Sequence, residues 1–251
     1  MTTPAAPDPL LVAHRGAPAL APEHTIPAYE AAVQAGAAFL QLDVHQTADE
    51  QLVVIHDAGL ERTTDGRGAV RELTVQQLKR LDAGRWFGRA FRGQRIQTLA
   101  EVLERFRDRA RFVVGLQGGS EFYPGIEERV VTLLQLYDVA GTALVTSLDH
   151  HALQKCRDLD PDLATGATVS SRLLAPAALA PRGVLTALFL PAGLTRETDV
   201  ARCREAGLEC YVWVVNDPAA VPLFRDWGVT GIVTDRVDLL GRPESRSGEA
   251  P

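Results

Sequence analysis

The sequence predicts an α/β fold, a (β/α)8 TIM barrel with an inserted cap after the second strand. Three observations carry that expectation. Short apolar runs alternate with stretches of helical spacing, the pattern of parallel βαβ units. Eight such units can be counted, and eight strands close a ring. A single long polar segment, residues 58–97, breaks the alternation between a strand and the next helix.

Residues 1–9 are rich in proline and alanine and read as a flexible tail. LLVAHRG, residues 10–16, is the first strand, and PAYEAAVQAG, residues 27–36, is a helix closed by glycine. FLQLDV forms the second strand, with QLVVIHD close behind as an extension of it. Residues 58–97 are polar, glycine-studded and arginine-rich; TVQQLKRLD within them has helical character, which favours a small folded cap. The later strands are RFVVGL, ALVTSLD, LATGATV, LTALFLP, CYVWVVND and GIVTD. Helical stretches lie among them: TLAEVLERF, GIEERVVTLLQLYDV, HALQKCRDL, TDVARCREAG and AVPLFRDWG. The unit around residues 170–183 is the least regular, with two prolines and poor periodicity. A doubly wound open sheet is the alternative, but no glycine-rich phosphate loop follows the first strand. One barrel domain therefore spans residues 10–240, and the polar stretch 241–251 reads as a disordered tail.

The chain of 251 residues, 46% hydrophobic, is long enough to bury a full core. A net charge of -6 argues against nucleic acid as a partner, since such binders are normally basic. Cys156, Cys203 and Cys210 are an odd number without metal-ligand spacing, which suits a reducing compartment. The N-terminus lacks the basic start and apolar run of a signal peptide, and no stretch is apolar enough for a membrane span. A soluble cytoplasmic protein is expected.

Four of the six histidines, His14, His24, His45 and His56, fall in the first quarter of the chain. His14 and His56 each end an apolar run, while Gln41, Asp43 and His45 alternate along one strand face. Catalytic groups of a (β/α)8 barrel project from the C-terminal strand ends, so neighbouring strands would bring His14 and His56 together.

In chain order, the motifs AHRG, APEHT, QLDVHQTAD, VVIHDAGLERTTDGRG, LTVQQLKRLDAGRWF, IQTLAEVL, YVWVVND and GIVTDRVDLL resemble the glycerophosphodiester phosphodiesterase family, from Leu11 to about Leu240. The resemblance implies a capped barrel that cleaves a phosphodiester substrate to sn-glycerol 3-phosphate and an alcohol. It also implies two histidines as acid and base and a divalent metal, Mg²⁺ or Ca²⁺, held by carboxylates. His14 and His56 match the histidines, and Arg15 matches the arginine beside the phosphate, where a guanidinium fork pairs two oxygens. The attacking oxygen must lose a proton while the leaving alkoxide gains one, and imidazole suits both tasks. Glu23 matches the family glutamate that orients Arg15 or contacts glycerol.

The pattern departs at the metal ligands, which in the family are the Glu and Asp of ELD and a Glu in an IEIK stretch. Here these are Gln41, Asp43 and Gly115, and the lysine of the stretch is Gln117. Asp43 is the retained metal ligand, with Gln41 a weak neutral one, since Mg²⁺ and Ca²⁺ favour charged oxygens. Loss of the lysine alongside a carboxylate is paired neutralisation: Asp43 and Arg15 cancel, and one protonated histidine restores the family's net +1. A site with no metal is therefore compatible with the charges. His45 is a candidate ligand for a transition metal, and Glu121 could swing back from its loop.

Smaller expectations attach to other positions. Trp213 lines the pocket or fills the core, Asp57 orients an active-site histidine, and Asn216 and Asp217 cap a helix. His24 replaces the family's asparagine and reads as a loop residue; His150 and His151 begin a helix without function. Three functions fit: hydrolysis of a glycerophosphodiester by His/His acid-base catalysis, a metal-independent lyase forming a cyclic phosphate, or a non-catalytic phosphate-ester binding relative. Oligomeric state is not encoded legibly.

Overall fold

The computed structural model describes residues 7–179 and 183–239; the expected disordered tail from 241 and most of the N-terminal one lie outside them. Eight strands run parallel and close on themselves: β1 (Leu10–Ala13), β2 (Phe39–Gln46), β5 (Arg111–Leu116), β6 (Leu144–Ser147), β7 (Ala164–Thr168), β8 (Ala187–Pro191), β9 (Glu209–Trp213) and β10 (Gly231–Thr234). Closure comes from β1, which pairs with β10 on one side and β2 on the other. The barrel predicted from the alternation is thus the observed fold.

Strand periodicity divides each strand between two cores. Leu11 and Ala13 point outward to the helices, whereas Val12 points into the barrel. Val12, Phe39, Val113, Leu144, Ala187, Phe189, Tyr211 and Val233 together plug the interior. Phe189 and Tyr211 stack there with ring centroids 4.6 Å apart. Several inward positions beyond this plug, two or four residues further along their strands, reach the C-terminal mouth. That single rule places His14, Gln41, Asp43, Gly115, Gln117, Trp213 and Asp235.

Among the described residues, six helices pack outside: α1 (Ile26–Gln34), α3 (Leu99–Phe106), α4 (Ile126–Leu136), α5 (His150–Leu159), α6 (Glu197–Glu205) and α7 (Val221–Trp227). Thr98 and Glu101 form a capping box that starts α3, worth about 1 kcal/mol. The irregular unit at 170–183 supplies no α-helix among its described residues, only a 3-10 turn at Pro176–Leu179. The prolines and the missing apolar stripe explain this.

QLVVIHD is not a continuation of β2. It contributes β3 (Leu52–Val54), which turns back antiparallel on Val44–Gln46. The chain then leaves for the cap and returns through β4 (Gln97–Thr98), antiparallel to β3. Entry and exit of the cap are therefore neighbours, so the insertion leaves the barrel register intact. The cap has its own small core of Val53, Ile55, Leu60, Val70, Leu78, Ala83 and Ile96. Of TVQQLKRLD only one turn is helical, α2 (Val75–Leu78), opened by the Thr74–Gln77 capping box. Asp82 orders the loop beyond it by accepting backbone N–H bonds from Gly84, Arg85 and Gly93 at 2.8–2.9 Å. No helix among the described residues is long and apolar enough to cross a membrane.

Candidate active site

A cavity of about 160 Å³ opens at the C-terminal mouth, lined by His14, Arg15, Gln41, Asp43, His56 and Gln117 on its polar side. Leu116, Leu148, Phe189 and Trp213 form the apolar side.

His14 follows β1, and its Nδ1 is 2.7 Å from Asp235 Oδ1. Asp235 follows β10, the strand hydrogen-bonded to β1, and its second oxygen accepts from Asn216 Nδ2 at 2.6 Å. Burial pushes the Asp235 carboxyl up, but the bonds from His14 and Asn216 outweigh it and hold the group below its ordinary range. His56 arrives differently, on the return strand β3 rather than on a parallel strand. Its backbone carbonyl accepts from His45 Nε2 at 2.9 Å, and its Nδ1 is 2.6 Å from Asp57 Oδ1. Both catalytic candidates are thus imidazoles with Nδ1 held by a carboxylate. In each, the remaining Nε2 has no hydrogen-bond partner among the described residues.

Arg15 lies between these elements in a left-handed conformation, φ 59°, followed by Gly16 at φ 90°. A Cβ on Gly16 would sit 2.8 Å from Ala28, so the sharp turn of AHRG requires glycine against α1. The guanidinium donates from Nη1 to Glu23 Oε1 at 3.1 Å, and its Nε is 3.4 Å from Asp43 Oδ2. That second contact is an ion pair too poorly aligned for a hydrogen bond. Arg62, from the cap, spans Glu23 and Asp57, with four contacts of 2.5–3.1 Å. The Arg62 bonds, aided by the bond from His56, hold Asp57 down at about 2 against partial burial. The cap is therefore stitched to the carboxylates that position Arg15 and His56.

Asp43 is 2% exposed. Its Oδ1 accepts from Gln117 Nε2 at 2.9 Å and from Gln41 Nε2 at 3.4 Å, and its Oδ2 accepts from His24 Nε2 at 3.0 Å. Burial pushes this carboxyl up, but the His24 bond and the nearby charges hold it well below the usual carboxylate range. Whether these residues fit Mg²⁺ or Ca²⁺ is decided by their chemistry. Gly115 sits opposite Asp43 in the β2–β5 register and offers no donor, and Gln41 turns its amide N–H toward Asp43. Among the described residues, no three His, Cys, Asp or Glu side chains gather as a metal-holding group. One buried carboxylate that already accepts three N–H bonds, with no second carboxylate grouped beside it, does not fit a hard divalent cation.

Several expectations are corrected here. His24 does lie in the turn before α1, but it is buried, 4% exposed, with Nδ1 on the Tyr29 hydroxyl at 2.8 Å and Nε2 on Asp43. His45 uses both ring nitrogens, on Tyr123 Oη at 2.6 Å and on the His56 carbonyl, which leaves none for a metal. Glu121 is exposed and lines no part of the cavity. Asn216 serves Asp235, whereas Asp217 does cap a short turn through Ala219 N–H. Trp213 lines the cavity while its Nε1 donates to the Phe189 carbonyl at 3.1 Å. His150 and His151 begin α5, capped by Asp149. Glu23, Asp57, Asp235 and Arg62 also alter the charge count read from sequence, because two arginines now face four carboxylates. Sequence reasoning missed Asp235, Arg62 and Asn216. Asp235 was legible as the polar residue ending GIVTD; Arg62 lies in the quoted ERTTDGRG motif, but nothing in that motif shows that it reaches Glu23 and Asp57.

The model of the glycerophosphoryl diester phosphodiesterase family matches residues 14–239. A glycerophosphodiester phosphodiesterase of Bacillus subtilis is 34% identical over 249 residues, covering 92% of this chain and 85% of that one. One from Caldanaerobacter subterraneus is 34% identical over 232 residues, covering 92% and 96%. Among solved structures, an Agrobacterium tumefaciens glycerophosphodiester phosphodiesterase superposes with TM-score 0.83 at 29% identity, covering 92% of this chain and 98% of that one. An Oleispira antarctica phosphodiesterase, solved with the product sn-glycerol-3-phosphate, gives 0.85 at 26% identity, covering 90% and 93%. With the fold, the histidine pair and these likenesses in agreement, the chain belongs to the glycerophosphoryl diester phosphodiesterase family and is an enzyme of that kind.

Proposed function

We propose that the enzyme hydrolyses glycerophosphodiesters to glycerol 3-phosphate and an alcohol, with His14 and His56 as the proton carriers and Arg15 as the phosphate clamp. The observation that carries this reading is the pairing of each imidazole with its own carboxylate, Asp235 and Asp57, around one cavity that also contains Arg15. A carboxylate on Nδ1 fixes ring orientation and directs proton transfer through Nε2. A phosphodiester lying against the Arg15 fork places phosphorus between the two rings. One ring takes the proton of the attacking oxygen, and the other protonates the departing alkoxide. Asp43 and Glu23 hold Arg15 rather than touching the ester. The apolar side, with Trp213 and Leu148, faces the carbon framework of the substrate. Three free, buried cysteines fit the cytoplasm as the working compartment.

The decisive experiment is a turnover assay on a panel of glycerophosphodiesters, including glycerophosphocholine, followed by phosphorus NMR. Glycerol 3-phosphate is the expected product. Accumulation of a cyclic glycerophosphate would make the neighbouring substrate hydroxyl, not water, the attacking group. No turnover on any member of the panel would overturn the reading.

A further inference from the structure

We propose that this site cleaves its phosphodiester without a divalent metal, because His24, Gln41 and Gln117 occupy by hydrogen bonding the Asp43 oxygens that a metal would take. The proposal rests on the phosphodiesterase reading of the same cavity.

A carboxylate offers about four lone-pair positions. Around Asp43, Gln117 and Gln41 address Oδ1, and His24 and Arg15 address Oδ2. A cation entering here would strand buried N–H donors without partners, a cost that no additional carboxylate offsets. Gly115 offers no side-chain oxygen, and a Cβ there would lie 3.0 Å from Asp43 Oδ1, a contact that a shift of a few tenths of an ångström in the carboxylate relieves. His24 is not a ligand waiting to swing. Its ring is held at both nitrogens, and its backbone N–H donates to the Arg15 carbonyl at 3.0 Å. The residue sits at φ 58°, an uncommon conformation for a non-glycine, which this double anchoring sustains.

The arrangement also holds the Arg15 guanidinium in a fixed place, where its remaining N–H groups can meet a phosphate. Asp43 and Glu23 grip two edges of the Arg15 guanidinium, and Nη2 makes no hydrogen bond to a described residue. His24 acts through Asp43 and the Arg15 backbone, and is a positioning residue.

Calorimetry on EDTA-treated protein tests the metal directly. Titration with Mg²⁺, Ca²⁺, Mn²⁺ and Zn²⁺ is expected to show no saturable binding; binding that disappears in Asp43→Asn overturns the proposal. The double variant Gln41→Glu with Gly115→Glu is expected to gain Mg²⁺ binding. A folded double variant that gains none overturns the assignment of positions 41 and 115 as the excluding ones. Turnover of glycerophosphocholine should be equal in EDTA and in Mg²⁺. Metal-dependent turnover overturns this proposal alone, whereas absence of turnover on every member of the glycerophosphodiester panel in both conditions overturns the phosphodiesterase reading as well. His24→Ala is expected to weaken glycerol 3-phosphate binding about tenfold, the loss of one hydrogen bond to a charged group. His24→Gln, which keeps an N–H donor, should recover part of it. Unchanged affinity in a folded His24→Ala protein removes the positioning role.

Discussion

The two polar corners of the cavity are built on opposite principles. At one, His14 and His56 each expose an unpartnered Nε2 while a carboxylate holds the other nitrogen. At the other, Asp43 and His24 are buried, and the amide N–H groups of Gln41 and Gln117 turn toward Asp43 rather than into the cavity they line. The first corner keeps hydrogen-bonding capacity in reserve for a substrate. The second has spent it on structure. Function therefore concentrates where polar atoms are positioned but unsatisfied, and the closed corner acts by holding Arg15 still.

The largest expected effect breaks the open corner. His14→Ala and His56→Ala should each lower kcat about 10³-fold, with the double variant little worse, because the two act as one proton-transfer unit. A loss below tenfold for either, in a glycerophosphocholine assay, would show that it carries no proton. Next comes Arg15→Lys, which keeps the charge but loses the fork; kcat/KM should fall about 10²-fold, mainly through KM. Asp235→Asn and Asp57→Asn should follow, with kcat about tenfold lower at nearly unchanged KM, since each only orients an imidazole. Equal effects on kcat and on folding would instead mark those carboxylates as structural.

Smaller effects sharpen the boundary between corner and cap. Arg62→Ala should cost about 1 kcal/mol in denaturant unfolding, modest because the side chain is partly solvated, and should speed proteolysis within residues 58–96. The smallest signal is the pH dependence. The Asp57 carboxyl lies at about 2 in the folded chain against an ordinary 3.8, so its contribution is complete above the higher value and is lost as pH falls through the lower one. Asp235 is depressed too and acts in the same direction. Unfolding curves of wild type and Asp57→Asn should converge as the solution is acidified. Parallel curves would remove Asp57 from the account.

Much of the barrel was legible because its information is local. Alternation of β-rich and helical stretches fixed eight strands, and inward periodicity placed Gln41, Asp43 and His45 on one face. The weak unit at 170–183 was legible as weak from its prolines and poor periodicity, and its described residues form no α-helix. QLVVIHD was misread in direction: an apolar run of that length does not reveal whether it continues a strand or folds back on it. His24 was undervalued because an APEHT turn gives no sign of burial; only the packing of α1 brings Tyr29 and Asp43 to its two nitrogens.

By itself the sequence determined the barrel, the insertion point of the cap, and the presence of His14, Arg15 and His56 as a chemical set, because strand period and motif order are properties of neighbouring residues. The tertiary structure alone decided which carboxylate serves His14, whereas Asp57 stands next to His56 in the chain. His14 and Asp235 are 221 positions apart, and ring closure between β1 and β10 makes them partners at 2.7 Å. Hydrogen bonds across such a closure depend on the whole barrel being formed, so no local pattern announces them.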